Sequence, residues 1–428
     1  AVSGTSTLTK SQVQAIVEAA QAKNLTIAQV TAAVTNATKG NATAEDLDKV
    51  YDKINTAISA AAKDLKDTAL TEADIEALLA KYVSNGKVKG DYTWYKANAT
   101  TMAIDADATK AADQLVALST MAKGGTSFAG KTIELPESKT DDKGNVIAID
   151  LTKVDFDPIV DFDGILKGVK DKTTVTVAIK PVWNTAEGRN GKTMMNYFQT
   201  GNKWYKDAVA YGLVASLKEG GVVEGLTVDL KVKMDNPGNQ YTYFGGIVGF
   251  LDGGTIRGCT VKGTIEGYNR IGGVVGWAKS GTIESVNVEE LTIATKTLKE
   301  AYAGIGGIAA YIAGGKVTID GCNIQTKDKT NNTTSLFTQD KPDLGYVNGI
   351  AAQISDGDKD FADKAKTEVT ITGVKIDGAP VKNKTDLSKW TQDNSLGSNE
   401  YSTPKHDRLV VTIDGTKFEP SKPTTSGK

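Results

Sequence analysis

The sequence predicts an α+β multidomain chain: an N-terminal α-helical bundle followed by a stacked, parallel β-solenoid. Three observations predict it. Up to about Lys123 the apolar residues of Ala-rich text recur at helical spacing. From Lys131 onward the period drops to two, as in Lys131-Thr132-Ile133-Glu134-Leu135 and Val175-Thr176-Val177-Ala178-Ile179. Between Gly212 and Ile376 a two-part apolar unit then returns repeatedly, within the roughly 20–50-residue period of repeat architectures.

The first domain is read over 1–91. Val13, Ile16 and Val17, then Ile27, Val30 and Val34, keep the 3.6-residue period until Gly40. Thr43 or Ala44 opens a stripe of Leu47, Val50, Tyr51, Ile54, Ile58 and Leu65. Thr71 can cap a helix carrying Ile75, Leu78, Leu79 and Tyr82. Four helices with narrow stripes and short connections describe a small bundle. The second domain is read over 92–418. It opens on an aromatic, strand-like piece, Tyr92-Thr93-Trp94-Tyr95. A helix over 107–123 follows, with Ala111, Leu115, Leu118 and Met121 on one face and Gly124-Gly125 as its stop. The Ser/Thr/Pro/Lys-rich end, 419–428, reads as a flexible tail.

The repeat is the main signal. Its first element is Gly212-Leu213-Val214-Ala215, Gly246-Ile247-Val248-Gly249, Gly273-Val274-Val275-Gly276, Gly307-Ile308-Ala309-Ala310 and Gly349-Ile350-Ala351-Ala352. The second is Val223-x-x-Leu226-x-Val228, then the equivalents at Ile256, Ile283, Ile319 and Ile371. Its offset from the leading Gly is 11, 10, 10, 12 and 22 residues, so the last copy carries an insertion, the polar Asp356–Lys366. Stacking such units about 4.8 Å apart aligns their apolar residues in columns. Gly253-Gly254, Gly281 and Gly314-Gly315 are the expected tight corners.

Gly245-Gly246-Ile247-Val248-Gly249 followed by Gly253-Gly254-Thr255-Ile256, and Gly272-Gly273-Val274-Val275-Gly276 followed by Gly281-Thr282-Ile283, resemble the GLUG motif. That motif belongs to right-handed parallel β-helix regions of bacterial cell-surface proteins, among them adhesin-like proteins of Bacteroidetes. The lead-in, from the helix through Phe128-Ala129-Gly130-Lys131 to Phe162-Asp163-Gly164, resembles the usual entrance to such a β-helix, whose helix caps the open end. The resemblance implies a right-handed parallel β-helix with GLUG-like coils over about 212–377. It also implies a place on the cell surface or outside the cell.

Composition removes several function classes. Lys+Arg 50 against Asp+Glu 52 leaves a net charge of −2, with no basic excess for nucleic acid. One histidine and two cysteines argue against His-based acid–base chemistry, His/Cys zinc sites and a disulfide framework. No apolar run approaches the roughly 18 residues of a membrane span. The start, Ala1–Gly4, lacks a basic n-region and an apolar h-region. It reads as the start of a mature or trimmed chain, which leaves room for an export signal and a lipid anchor upstream of Ala1.

Cys259 and Cys322 hold equivalent places with the Val286 coil between them. Two steps put their Cα atoms about 9.6 Å apart, beyond the ~7 Å of a disulfide, so both are expected buried and reduced. Asp155, Asp157, Asp161 and Asp163 alternate with aromatics. They are the candidates a Ca²⁺ site would use, although alternation equally describes a strand with one wet face and the spacing fits no dedicated loop. Asp141-Asp142-Lys143-Gly144-Asn145 reads as a turn. Phe250, Trp277 and Tyr311 follow three successive cores, and Tyr241, Tyr268 and Tyr302 precede them. Each trio forms a ladder: outward, it offers flat faces to sugars or a protein partner; inward, it is core. Trp183, Trp204 and Tyr205 sit in the irregular segment Val182–Val209, a second candidate binding site.

The function expected from this is non-catalytic and needs no cofactor. The chain reads as a secreted or surface-anchored adhesin-like protein, an outer-membrane lipoprotein in kind. Its partner would be an extracellular glycan or a host or bacterial surface protein. The alternatives are a carbohydrate-active β-helix enzyme (polysaccharide lyase or glycoside hydrolase) and a structural spacer. The enzyme needs paired acids or a cation-activated base, which one sequence does not display, and arginine is confined to Arg189, Arg257, Arg270 and Arg408.

Overall fold

The structure is a computed structural model. It describes residues 83–84, 87–88, 90–91, 93–96, 99–123, 125–181, 190–194, 208–235, 242–296, 303–331, 334–340, 345–355, 365–382 and 409–418. The four expected helices of the bundle and the tail over 419–428 lie outside these residues. At the end of the segment read as bundle, Val83–Ser84 pairs antiparallel with Lys87–Val88, a short hairpin rather than a helix.

Among the described residues the rest is three sheets built mainly from parallel strands, sheet I with 13 strands, sheet II with 9 and sheet III with 6, beside a short antiparallel hairpin of Lys139–Thr140 with Val146–Ile147. The chain visits them in turn. One full coil runs through Thr242–Gly245 in sheet III, Val248–Arg257 in sheet I and Thr260–Tyr268 in sheet II. The next coil repeats the path through Arg270–Gly272, Val275–Glu284 and Asn287–Lys296. Each strand pairs in parallel with its equivalent one coil away, which is the arrangement of a β-helix-like solenoid.

In-register stacking turns period two into columns. Met102, Ile133, Leu166, Val223, Ile256, Ile283, Ile319, Ile371 and Ile413 follow one another across sheet I. All are at most 3% exposed. Each such side chain stabilises the stack by about 1.5–3 kcal/mol through removal from water. Val175, Val228, Val261, Val288, Ile324 and Ile376 form the matching column of sheet II.

The second sequence element is therefore not one strand. Ile256 belongs to sheet I and Val261 to sheet II, and a corner separates them. The corner residue is left-handed in five successive coils: Gly225 (φ 69°), Gly258 (58°), Ser285 (53°), Gly321 (60°) and Gly373 (61°). Gly253, Gly281 and Gly314, expected at corners, lie elsewhere. Gly253 and Gly281 kink the middle of sheet I strands, where the register shifts, and Gly314 falls between two of them.

The entrance differs from expectation in one respect. Thr93 and Trp94 form a turn, not a strand, and the first strand of the stack is Thr101–Ala103. Helix α1 (Ala108–Lys123) then crosses over to Thr132–Glu134, which pairs in parallel with that first strand. Asp107 caps α1 by accepting from the Thr109 and Lys110 amides at 3.0 Å. From Ala111 to Ala122 every α1 residue but Asp113 is buried. One side packs on the first coils, where Ser119 Oγ donates to the Asp157 carbonyl at 2.6 Å. The residues before the first strand cover another side: the Asp91 amide donates to the Asp113 carbonyl, and Gln114 Nε2 to Asp91.

The far end closes differently. Leu409–Ile413 turns back at Asp414-Gly415 to pair antiparallel with Thr416–Phe418. Lys375–Ile376 does the same at Asp377-Gly378. Both turns occupy left-handed backbone and end the open, template-like edges of sheets I and II.

Candidate functional site

The corner between sheets III and I explains the repeated glycines. A Cβ on Gly246 would strike the Gly273 carbonyl oxygen, one on Gly273 the Gly307 oxygen, and one on Gly307 the Gly349 oxygen. Only bare backbone lets the corners nest coil on coil. The last motif position is less strict. Ala215, Ala310 and Ala352 stand where Gly249 and Gly276 stand, all buried, so the copies lacking the final Gly keep the same fold. The Gly212 copy turns with one residue fewer: two residues separate Tyr211 from Val214, but three separate their partners Phe244 and Val248.

Residues 240–266 match the GLUG motif. Neither a curated protein nor a solved structure matches the chain. The matched residues make up one full coil, and its in-register neighbour over Arg270–Lys296 repeats its corner glycines.

Three successive coils bring the expected aromatics together. Phe250, Trp277 and Tyr311 are register partners in sheet I, with ring centroids 4.9 and 5.8 Å apart. They form a cluster separate from the main core, with Tyr243, Met194, Ala208, Ala210 and Ala313. Alternate residues of sheets I and III meet here across the GLUG corner, on the faces turned away from that core. Trp277 Nε1 donates to the Ala313 carbonyl at 3.0 Å. Burial corrects the surface reading: the three rings are 0, 0 and 2% exposed, so the ladder is packed and not laid open to a ligand. Of the second trio, Tyr268 is half-buried against the main core, and Tyr241 and Tyr302 lie outside the described residues. Trp183, Trp204 and Tyr205 also lie outside them.

The acidic stretch does not converge. Asp161 accepts from Lys192 Nζ at 2.6 and 2.8 Å and from Ser216 Oγ at 2.8 Å. Burial works to raise its pKa, but these hydrogen bonds and the charges of Lys192 and Lys218 outweigh it and hold the carboxyl below its ordinary value. Asp163 accepts from the Phe128 amide at 2.6 Å, and Asp157 pairs with Lys123 at 3.2 Å. Between them Phe156, Ile159 and Phe162 are buried at three-residue spacing, and the segment is not the strand with one wet face that alternation allowed: Ile159 and Phe162 make isolated parallel bridges to Val214 and Leu217. Among the described residues no three His, Cys, Asp or Glu side chains gather to hold a metal. Asp141 closes the turn expected there, accepting from the Lys143 and Asn145 amides.

Cys259 and Cys322 are free and buried, with the Val286 corner between them. Burial pushes both thiols up to about 12.

Departures from regular stacking gather at one place on sheet II. The Asn287–Lys296 strand bulges at Glu290 (φ 50°), where its register slips. One coil on, the chain leaves the sheet after Asn323–Ile324 and rejoins it at Phe337–Gln339. That arch is tied down by Asp377, which accepts from Thr326 N at 2.7 Å and Thr326 Oγ1 at 2.6 Å. Asp328 accepts from the Thr330 and Asn331 amides within the arch. Gln325 links the arch to the bulge, accepting from Glu290 N at 3.2 Å and donating to the Lys327 carbonyl at 2.8 Å.

Between bulge, arch and the Asp377-Gly378 turn lies an open groove of about 440 Å³. Its floor carries Asn287 and Asn323, register partners in adjacent coils, with Asn323 Nδ2 donating to Asn287 Oδ1 at 3.0 Å. A second cavity, beside the α1 N-terminus, holds about 170 Å³, below the ~300 Å³ of ordinary ligand sites. The sequence reading missed the groove. Its one visible signal was an Asn two residues after the corner in two successive copies, Ser285-Val286-Asn287 and Gly321-Cys322-Asn323.

Proposed function

We propose that this protein is a non-catalytic recognition module of the bacterial cell surface, adhesin-like and binding an extracellular glycan or surface protein. What carries the reading is the gathering of bulge, arch and turn around one open groove on an otherwise regular stack. Rigid scaffolds present binding residues on such departures. The GLUG coil supports a right-handed β-helix of the kind seen in Bacteroidetes adhesin-like proteins. An outer-membrane lipoprotein, held by a lipid anchor upstream of Ala1, is the attachment that fits this reading. No helix among the described residues is long and apolar enough to cross a membrane.

A glycosidase or lyase would pair carboxyls of opposed pKa in one cleft. The carboxyl raised among the described residues is Asp113, lifted by partial burial and by nearby Asp91. It sits on α1, away from the groove. The test is a glycan and host-protein binding array run beside a reducing-end assay on neutral and uronic polysaccharides. Saturable binding without product is the expected result. Steady product release would replace recognition with catalysis.

A further inference from the structure

We infer that the groove on sheet II binds a neutral, hydroxyl-rich saccharide, anchored on the Asn287–Asn323 amide pair. The inference rests on the recognition reading and names its site and ligand class. The amide pair is self-bonded through one hydrogen bond, which leaves Asn287 Nδ2 as a donor and Asn323 Oδ1 as an acceptor without a partner among the described residues. Reversing both amide assignments leaves the same pair of open functions. The strands that carry them are about 4.8 Å apart. Adjacent ring hydroxyls, each able to donate and to accept, match a neighbouring donor and acceptor.

The surroundings favour an uncharged ligand. Asp377 and Asp328 hold the arch, and Lys329 pairs with Glu290 at 3.5 Å, so these charges serve the walls. The other charged lining residues, Glu289 and Lys327, are of opposite sign, and Lys375 continues the floor column after Asn323. Val288 and Ile324, beside the two asparagines, are buried in the core, so the floor has no apolar side chain for a lipid or an aromatic ligand. At about 440 Å³ the groove is within the size range of small-molecule sites.

The test is saturation-transfer NMR on the full chain with tetrasaccharides of glucose, galactose, mannose and N-acetylglucosamine, and a uronic-acid tetrasaccharide beside them. The expected result is binding of at least one neutral probe, weakened about tenfold or more by Asn323→Ala and by Asn287→Ala. Asn323→Ser, which keeps a donor and an acceptor, is expected to retain part of it, and Thr174→Ala, three coils from Asn287, all of it. Both asparagines lie at the surface, so unchanged melting temperatures separate lost contact from lost fold. Neutral-probe binding that survives both Ala variants overturns this site and leaves the recognition reading standing. Binding of the uronic probe alone overturns the ligand class. Binding of no saccharide overturns the inference, and the protein arm of the array then decides the wider reading.

Discussion

The Arg270 guanidinium lies 4.4 Å from the centre of the Tyr311 ring and donates to Tyr243 Oη at 2.8 Å. A second donor reaches Gln353 Oε1 at 3.0 Å, two coils from Arg270 counted along the stack. A planar fork stacked on one ring and bonded to another joins sheets I and III outside the main core. Arg270→Lys keeps the charge but loses the fork. It is expected to cost about 1–3 kcal/mol in chemical denaturation. An unchanged midpoint would show that the cluster does not depend on that geometry.

The neighbouring ladder makes a related prediction. Trp277→Ala opens a cavity among Phe250, Tyr243 and Tyr311 and is expected to destabilise by about 3–5 kcal/mol. Saccharide binding measured on the folded fraction should be unchanged, because the ring is wholly buried. Loss of affinity at full folding would return the ladder to the binding surface.

The two thiols are expected to resist modification in the native state and to react after denaturation, with no loss of two hydrogens by intact mass. Their ionisation shifts from 9.0 to about 12 because burial disfavours the thiolate. The unfolded chain therefore loses these protons first. Their contribution to stability is full below pH ~9 and is lost as pH rises through about 12. A Cys259→Ala, Cys322→Ala double variant should show a shallower alkaline loss of stability than the parent. Equal slopes would contradict the burial.

Asp161 gives the acid-side counterpart. Its carboxyl is held below the ordinary 3.8 by Lys192, Ser216 and Lys218 despite partial burial. Its contribution is present above pH ~3.8 and is lost as pH falls through the lower folded value. Asp161→Asn keeps a residue tolerant of φ 54° and is expected to cost about 1–3 kcal/mol at neutral pH, with less at pH 3. A penalty independent of pH would remove the charge from the account.

The columns were legible in the sequence because Ile256, Ile283 and Ile319 keep offsets of 10, 10 and 12 residues from their leading glycines. The corners were less so. Left-handed backbone at Gly258 and Gly321 has Ser285 between them, so composition alone does not mark the turn. The role of α1 as a crossover was hidden because its preceding strand is three residues, with only Met102 turned inward. Whether Phe250, Trp277 and Tyr311 face water depends on the angle between sheets I and III, which no periodicity carries. The groove was obscure for a similar reason. Asn287 and Asn323 read as ordinary strand-start polar residues until the bulge at Glu290 and the arch after Ile324 are seen to flank them.

Coils stacked in parallel and in register set Asn287 beside Asn323. Cross-linking tests that directly. In a chain with Cys259 and Cys322 replaced by Ala, Asn287→Cys with Asn323→Cys places two thiols on strands about 4.8 Å apart, within disulfide reach. Asn287→Cys with Lys375→Cys places them two steps, about 9.6 Å, apart. Intact mass after mild oxidation is expected to show rapid, near-complete bridging of the first pair and none of the second. Bridging of the second pair, or failure of the first in a folded chain, would contradict the stack.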